Sequence, residues 1–153
     1  MESSFWMLEA LREAKVAEVK DEVPVGAVIV LDEKIIGRGH NLRESRQDPC
    51  AHAEIVAIQE AARSTNSWRL NEAELYVTLE PCPMCLGALQ QARIARVFYG
   101  AADPKGGAIS LGYDFNTDNR LNHRFDAVLD ADPECSALLS DFFKRKRAGA
   151  VDE

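Results

Sequence analysis

The chain has 153 residues, of which 46% are hydrophobic and 28% are charged, and its formal net charge is −7. This size and composition favour one globular domain, so we expect residues 1–153 to form a single domain. The excess of acids argues against indiscriminate binding of nucleic acid, which depends on basic surface. We expect no membrane partner, because no apolar run approaches the roughly 18 residues that a membrane span needs.

Cysteine usage and the N-terminal sequence indicate a reducing compartment. The first ten residues carry Glu2 and Glu9 and no basic residue, so they lack the start of a secretory signal. Four cysteines in this chain are too sparse for a disulfide framework, and a C-x-x-C pair in a protein that is not secreted indicates metal or redox chemistry. We therefore predict a cytoplasmic protein.

The apolar pattern predicts helices and strands that alternate along the chain, which implies an α/β domain of three layers (α-β-α) with a central mixed sheet flanked by helices. Residues 102–121 are rich in Gly, Asp and Asn and predict a long loop, which in a compact domain is usually functional or disordered. In chain order we predict a helix over 4–20, strands over 25–31 and 35–40, a helix from Asp48-Pro49 to about residue 63, a strand over 75–79, a helix from Pro81, strands over 96–99 and 124–129, and a helix from Asp132-Pro133.

Two short clusters carry the residues suited to chemistry. One is His52-Ala53-Glu54, and the other is the run Pro81-Cys82-Pro83-Met84-Cys85, each at the predicted start of a helix. Imidazole and thiolate are good zinc ligands, and three protein ligands leave the fourth tetrahedral position for water, which is the catalytic arrangement. We therefore predict that His52, Cys82 and Cys85 hold one Zn²⁺ and that Glu54 is the catalytic proton shuttle.

The joint pattern is far more specific than either cluster alone. A lone C-x-x-C or a single histidine is weak evidence, whereas H-x-E at one helix start and P-C-x-x-C at another is a known signature of zinc deaminases that act on nucleobases. The sequence also offers other candidate metal ligands. Cys50 is conceivable as a fourth ligand, although it would close the site, and His40 and His123 could bind metal but are better suited to ordinary hydrogen bonds. Cys135 lies on an apolar helix face and is expected in the core.

Several further stretches match one family. They include Val-Pro-Val-Gly-Ala-Val at 23–28, Gly39-His40-Asn41, Tyr-Val-Thr-Leu-Glu-Pro-Cys at 76–82, Asn122-His123-Arg124 and the tail at 138–143. On these residues the chain resembles the bacterial tRNA-specific adenosine deaminases, of the cytidine deaminase superfamily, over roughly residues 5–147. The resemblance implies a cytidine-deaminase-like fold, hydrolytic conversion of adenosine to inosine at the wobble position of a tRNA anticodon, and a homodimer whose two chains both contribute to RNA binding.

The resemblance also assigns substrate contacts by position. Asn41 would bond the flipped base, while the Ala53 backbone and the Pro81 carbonyl would contact its reacting edge. The remaining residues would bind the anticodon stem-loop around that base: Asp103, Lys105 and Asn122 at neighbouring nucleotides, and Phe143, Arg145 and Arg147 along the stem or loop.

Two other functions compete with this interpretation. A deaminase of free guanine or cytosine would use the same metal site and the same glutamate, but it would not need the basic end of the last helix at 142–149. A zinc module that only binds RNA would not need Glu54. Lys144, Arg145, Lys146 and Arg147 could alternatively form an ordinary solvated helix end, which suits the helix dipole.

Overall fold

The computed structural model describes residues 3–152, and the side chains of residues 5–149. Within that part of the chain, five strands form one sheet in the order β2-β1-β3-β4-β5. The helices are α1 (Ser3–Val19), α2 (Arg43–Arg46), α3 (Ala53–Thr65), α4 (Pro83–Gln91) and α5 (Pro133–Asp152), with a short 3₁₀ helix at Phe115–Thr117. The strands are β1 (Gly26–Leu31), β2 (Lys34–His40), β3 (Glu74–Val77), β4 (Arg96–Tyr99) and β5 (Asp126–Leu129).

The sheet is mixed, as predicted. Strand β1 is antiparallel to both β2 and β3, whereas β3, β4 and β5 are parallel to one another. Side chains of β1 alternate between two apolar clusters: Ala27 and Ile29 face α3 and α4, and Val28 and Val30 face α1. The predicted three-layer α-β-α architecture is therefore confirmed. None of the helices within residues 3–152 combines the length and the apolar character needed to cross a membrane.

Helix α3 lies unusually close to β2. A Cβ on Gly37 or Gly39 would collide with backbone oxygens of α3, those of Ala57 and Ala53. The helix presents small, fully buried residues to this strand, including Ala57 and Ala61. Glycine on the strand and alanine on the helix thus fix the distance between them, and with it the position of the first turn of α3.

Two predicted helix starts are wrong. Helix α3 begins at Ala53 and not at Asp48-Pro49, because Asp48 instead closes a turn: its Oδ1 accepts a hydrogen bond from the Cys50 N–H at 2.8 Å, and its carbonyl accepts one from Ala51 N–H at 3.2 Å. Asp-Pro is a turn signal as well as a helix signal. Helix α4 similarly begins at Pro83 and not at Pro81.

Smaller differences concern the ends of strands and the predicted loop. Strand β3 covers Glu74–Val77 and β5 covers Asp126–Leu129, so both are shorter than their apolar runs. The predicted loop at 102–121 contains the 3₁₀ helix at Phe115–Thr117, and the four-residue helix α2 was not predicted. Helices this short have too little apolar periodicity to be recognised in a sequence.

Glu22 stabilises the turn that carries α2. Its side chain is 1% exposed, and its two carboxylate oxygens accept hydrogen bonds from the backbone N–H groups of Glu44 at 3.1 Å and Ser45 at 2.6 Å. Burial raises the pKa of Glu22, but the hydrogen bonds from Ser45 and Glu44 outweigh burial and lower that pKa below its ordinary value of 4.5.

We predict that Glu22→Gln lowers the free energy of unfolding by about 1–3 kcal/mol at pH 7, because an amide NH₂ would face a buried N–H donor. Since the folded pKa of Glu22 is depressed, its contribution is complete above pH 4.5 and is lost as the pH falls through the folded pKa. Denaturant unfolding should therefore show that the difference in free energy of unfolding between the wild type and Glu22→Gln is smaller at low pH than at pH 7. The exposed neighbour variant Glu44→Gln serves as the control, and an equal difference at both pH values would contradict this assignment.

Candidate active site and metal centre

The starts of α3 and α4 bring three metal-ligating side chains together. His52 occupies the N-cap position of α3, Cys82 occupies that of α4, and Cys85 follows in the first turn of α4. His52 Nδ1 lies 3.5 Å from the Sγ of Cys82 and 3.5 Å from the Sγ of Cys85. All three ligand atoms lie within 4.8 Å of one another.

These distances fit a zinc ion. Tetrahedral zinc with bonds of about 2.1 Å to nitrogen and 2.3 Å to sulfur separates the two ligand atoms by about 3.6 Å. The observed 3.5 Å agrees with that separation, and one imidazole with two thiols is a donor set that zinc prefers. The group could therefore hold zinc through three protein ligands.

The environment of the three ligands favours negative charge on sulfur. A hydrogen bond from the Cys85 thiol, supported by His52, lowers the pKa of Cys82 to about 4. The same hydrogen bond with Cys82 and burial raise the pKa of Cys85 far above its usual range, and the bond to Cys82 raises the pKa of His52. The start of α4 adds unpaired backbone N–H groups, which stabilise a thiolate.

Glu54 stands beside this group in the first turn of α3. Its side chain is 4% exposed and contacts the Cys85 thiol. Burial raises the pKa of Glu54 to about 7. A carboxyl group with a pKa near neutrality can both accept and return a proton at physiological pH, as a general acid–base catalyst must.

A cavity of about 300 Å³ opens over Glu54 and the metal-ligating group. The ligands His52 and Cys82 line this cavity. So do five other residues that the pattern or the resemblance assigns to the site: Asn41, Ala53, Glu54, Asp103 and Phe143. Val23, Val25 and Leu79 add an apolar wall, and the remaining lining residues are Arg43, Glu80 and Gly106. A mostly apolar cavity with a few convergent polar groups is suited to a small flat molecule or a base.

The structure does not bring every predicted contact to this cavity. Lys105, Asn122, Arg145 and Arg147 are exposed side chains that do not line it. Pro81 is buried, and its carbonyl accepts a hydrogen bond from the Ala108 N–H at 2.9 Å, which leaves one lone pair of that oxygen.

The alternative ligands have other roles among the described residues. Cys50 is exposed and lies outside the metal-ligating group, and Cys135 is 1% exposed in the apolar cluster beneath α1. His40 lies 3.1 Å from Glu13 and 2.9 Å from the Lys20 ammonium, and His123 Nε2 bonds the Ile94 carbonyl at 2.7 Å.

Sequence reasoning missed two charged residues of the cavity. Arg43 follows Asn41 by two positions, and its N–H donates to the Asn41 Oδ1 at 3.0 Å, so the turn after β2 could have indicated it. Glu80 was recognised only as part of the stretch at 76–82 that carries the family resemblance. No sequence signal separates a carboxylate that faces a cavity from one that faces solvent.

Comparison with known proteins places this geometry in a family. A family model described as MafB19-like deaminase matches residues 1–147. A tRNA-specific adenosine deaminase of Bacillus subtilis is 47% identical over 147 residues, which are 95% of this chain and 91% of the relative. A structure solved in a study of A-to-I editing by tRNA:A34 deaminases at the wobble position of transfer RNA has a TM-score of 0.84 and 44% identity, over 89% of this chain and 99% of that chain. The chain belongs to the tRNA-specific adenosine deaminases.

A related enzyme of another specificity is more distant. A guanine deaminase of Bacillus subtilis is 38% identical with a TM-score of 0.66, and the match covers 74% of this chain and 72% of that chain. The resemblance to tRNA-specific adenosine deaminases is higher in identity and extends over more of both chains, so the expected family is confirmed.

The ligand assignment predicts that the purified protein carries one zinc per chain and that Cys82→Ser loses it, because two remaining ligands bind zinc weakly. Cys50→Ser is the matched control, since Cys50 lies two residues from His52 but outside the group. Elemental analysis after dialysis measures both. Retention of zinc by Cys82→Ser, or loss from Cys50→Ser, would show that a different set of residues holds the metal.

Proposed function

We propose that this protein catalyses zinc-dependent hydrolytic deamination of adenosine to inosine at the wobble position of a tRNA anticodon. The observation that carries the proposal is the cavity in which Glu54, the metal-ligating group and the base-sized apolar wall face one another. Family membership narrows the substrate to adenosine in tRNA. The reaction adds water at C6 of the adenine ring and releases ammonia, and its product is inosine.

In this mechanism His52, Cys82 and Cys85 hold zinc and Glu54 moves the protons. When bound, zinc supplies a Lewis acid that makes water a nucleophile near neutral pH. Glu54 would accept one proton from the water and pass it to the ring nitrogen next to C6. It would then carry the second proton of that water, from the hydroxyl group formed on C6, to the departing amine. Its pKa of about 7 suits both directions of transfer.

Asn41 is suited to hold the flipped base. It is 7% exposed and lines the cavity, and its Oδ1 is already fixed by the Arg43 N–H at 3.0 Å. That bond sets the orientation of the amide, so its NH₂ group is the end that can donate to a ring nitrogen. Val23 and Val25 offer an apolar surface for the face of the base. The Ala53 backbone and the Pro81 carbonyl, which adjoin the ligands His52 and Cys82 in the chain, would contact its reacting edge.

RNA outside the cavity would meet exposed polar and aromatic side chains. Phe143 is 44% exposed at the cavity and offers a stacking surface, as loop bases require. Asp103 lines the cavity, and Lys105, Asn122 and Arg147 are exposed. Arg145 lies 3.1 Å from Glu18, and Lys146 lies 2.5 Å from Asp21, so phosphates would compete with these carboxylates for both cations.

A homodimer and a cytoplasmic location are part of the same proposal. Exposed apolar side chains, among them Met84, Leu111 and Tyr113, are of the kind that a second copy would cover. Sedimentation at several protein concentrations would test the dimer, and a monomer at concentrations that support full activity would contradict it.

Glu54→Gln should fold and keep its zinc. Its rate of inosine formation should fall by at least roughly 10²–10⁴-fold, the factor that general acid–base catalysis typically contributes, because one residue serves several proton transfers. The measurement is inosine formation per zinc-loaded enzyme in a single turnover. Glu60→Gln, an exposed glutamate of the same helix, is the control. If Glu54→Gln lost its metal and kept its rate per zinc, the division of roles between ligands and shuttle would be wrong.

The substrate assignment predicts rapid deamination of adenosine in an anticodon stem-loop and little turnover of free adenosine, guanine or cytosine. Flipping an unpaired loop base costs little free energy, and the RNA supplies contacts beyond the base. Rapid turnover of free guanine without turnover of the stem-loop would instead indicate a guanine deaminase.

Removing basic residues without a carboxylate partner should weaken RNA binding in a salt-dependent manner. Among the described side chains, Lys144 and Arg147 form no ion pair, whereas Arg145 and Lys146 do. Replacing Lys144 and Arg147 by Ala should lower the slope of log Kd against log salt by about 1–2, because about two counterions fewer are released. Replacing Lys34 and Arg63, exposed residues of β2 and α3, is the control, and an unchanged slope in the Lys144 and Arg147 variant would exclude the tail as an RNA contact.

A further inference from the structure

Glu80 is a buried carboxylate for which the proposed mechanism has no use. It is 3% exposed, lies between β3 and the ligand Cys82, and borders the cavity. Among the described residues no lysine, arginine or histidine forms an ion pair with it. A buried carboxylate without a counter-ion must be stabilised by hydrogen bonds. The groups that donate these bonds indicate the role of the residue.

All three of the hydrogen bonds found to this carboxylate come from one loop, residues 103–110. Oε1 accepts from the Asp103 N–H at 3.0 Å and from the Ser110 hydroxyl at 2.6 Å, and Oε2 accepts from the Ser110 N–H at 2.8 Å. The two ends of the loop are therefore attached to one side chain. Backbone bonds join the same two segments, since Glu80 N–H donates to Ala101 and Ala108 N–H donates to Pro81, each at 2.9 Å.

The loop encloses the carboxylate from its middle as well. Gly107 is buried, and a Cβ at that position would overlap the carboxylate carbon and both oxygens of Glu80. Only glycine lets the backbone pass this close. Glu80 thus packs against the middle of the loop, and Asp103 and Gly106 of the same loop line the cavity beside it.

We propose that Glu80 is a positioning residue, which holds the 103–110 loop so that Asp103 and Gly106 form one wall of the substrate cavity. The proposal rests on the proposed function, because the wall is assigned to the nucleotides that flank the base. Glu80 links this wall to the segment that carries Pro81 and Cys82. Glu80 thereby fixes the position of the substrate wall relative to the metal-ligating group, without transferring a proton itself.

The test compares Glu80→Gln with the wild type, both loaded with zinc. Glutamine keeps the volume but turns an NH₂ group toward one of the loop donors, so part of the loop should open. We expect the KM for an anticodon stem-loop to rise about tenfold while kcat changes less than threefold and zinc content stays at one per chain. Hydrogen exchange should accelerate at the amides of Asp103 and Ser110 and stay unchanged in α3.

Two variants on the loop side give graded controls. Ser110→Ala removes only the hydroxyl bond, so its effects on KM and on exchange should be smaller than those of Glu80→Gln. Gly107→Ala disturbs the same contact without changing the segment next to Cys82, so it should reproduce both effects of Glu80→Gln. It also keeps the proposal testable if Glu80→Gln does not fold.

The exchange measurement separates this proposal from the proposed function. A wild type that makes no inosine would contradict the function, while accelerated exchange at 103–110 in Glu80→Gln and Gly107→Ala would still support the role of Glu80 in holding the loop. Unchanged exchange in both variants, or a fall in kcat at constant KM, would overturn the proposal, because the loop would then be held by other groups or Glu80 would act in the chemical step.

Discussion

The close packing of α3 on β2 is the constraint on which the rest of the site depends. Gly37 and Gly39 permit it, and the small residues of α3 complete it. Because this packing sets the position of α3, it also positions His52 at the N-cap and Glu54 in the first turn, beside the start of α4, where Cys82 and Cys85 lie. The positive ends of two helix dipoles then meet at one point, which favours thiolates there.

Buried carboxylates around the cavity differ in function because their hydrogen-bond donors differ. Glu54 is buried beside sulfur, and its pKa rises to about 7, so it can exchange a proton. Glu22 is equally buried but receives two backbone N–H groups from the turn after Asn41, and its pKa falls. Glu80 receives three donors from the opposite loop. Glu22 and Glu80 thus accept bonds from the loops that pack on them, whereas Glu54, which receives no loop donor among the described residues, is the carboxylate proposed for proton transfer.

The layer architecture could be predicted from the sequence, because long amphipathic helices and alternating strands determine it through local periodicity. The metal-ligating group could be expected because H-x-E and P-C-x-x-C place their ligands at helix starts. The predicted start of α3 was wrong because Asp48-Pro49 fits both a turn and a helix start. The roles of Glu22 and Glu80 were not predictable, because they depend on contacts between residues 20 or more positions apart. The ion pairs of Arg145 and Lys146 with Glu18 and Asp21 likewise join the two ends of the chain.

In the proposed mechanism one histidine and two cysteines hold a catalytic zinc whose fourth position is open to water. X-ray absorption at the zinc edge of the wild-type protein tests it directly. This ligand set predicts two sulfur neighbours at about 2.3 Å and two lighter neighbours at about 2.0–2.1 Å. Three sulfur neighbours would mean that Cys50 closes the site, and a shell without sulfur would mean that Cys82 and Cys85 do not bind the metal; either result would contradict this ligand set.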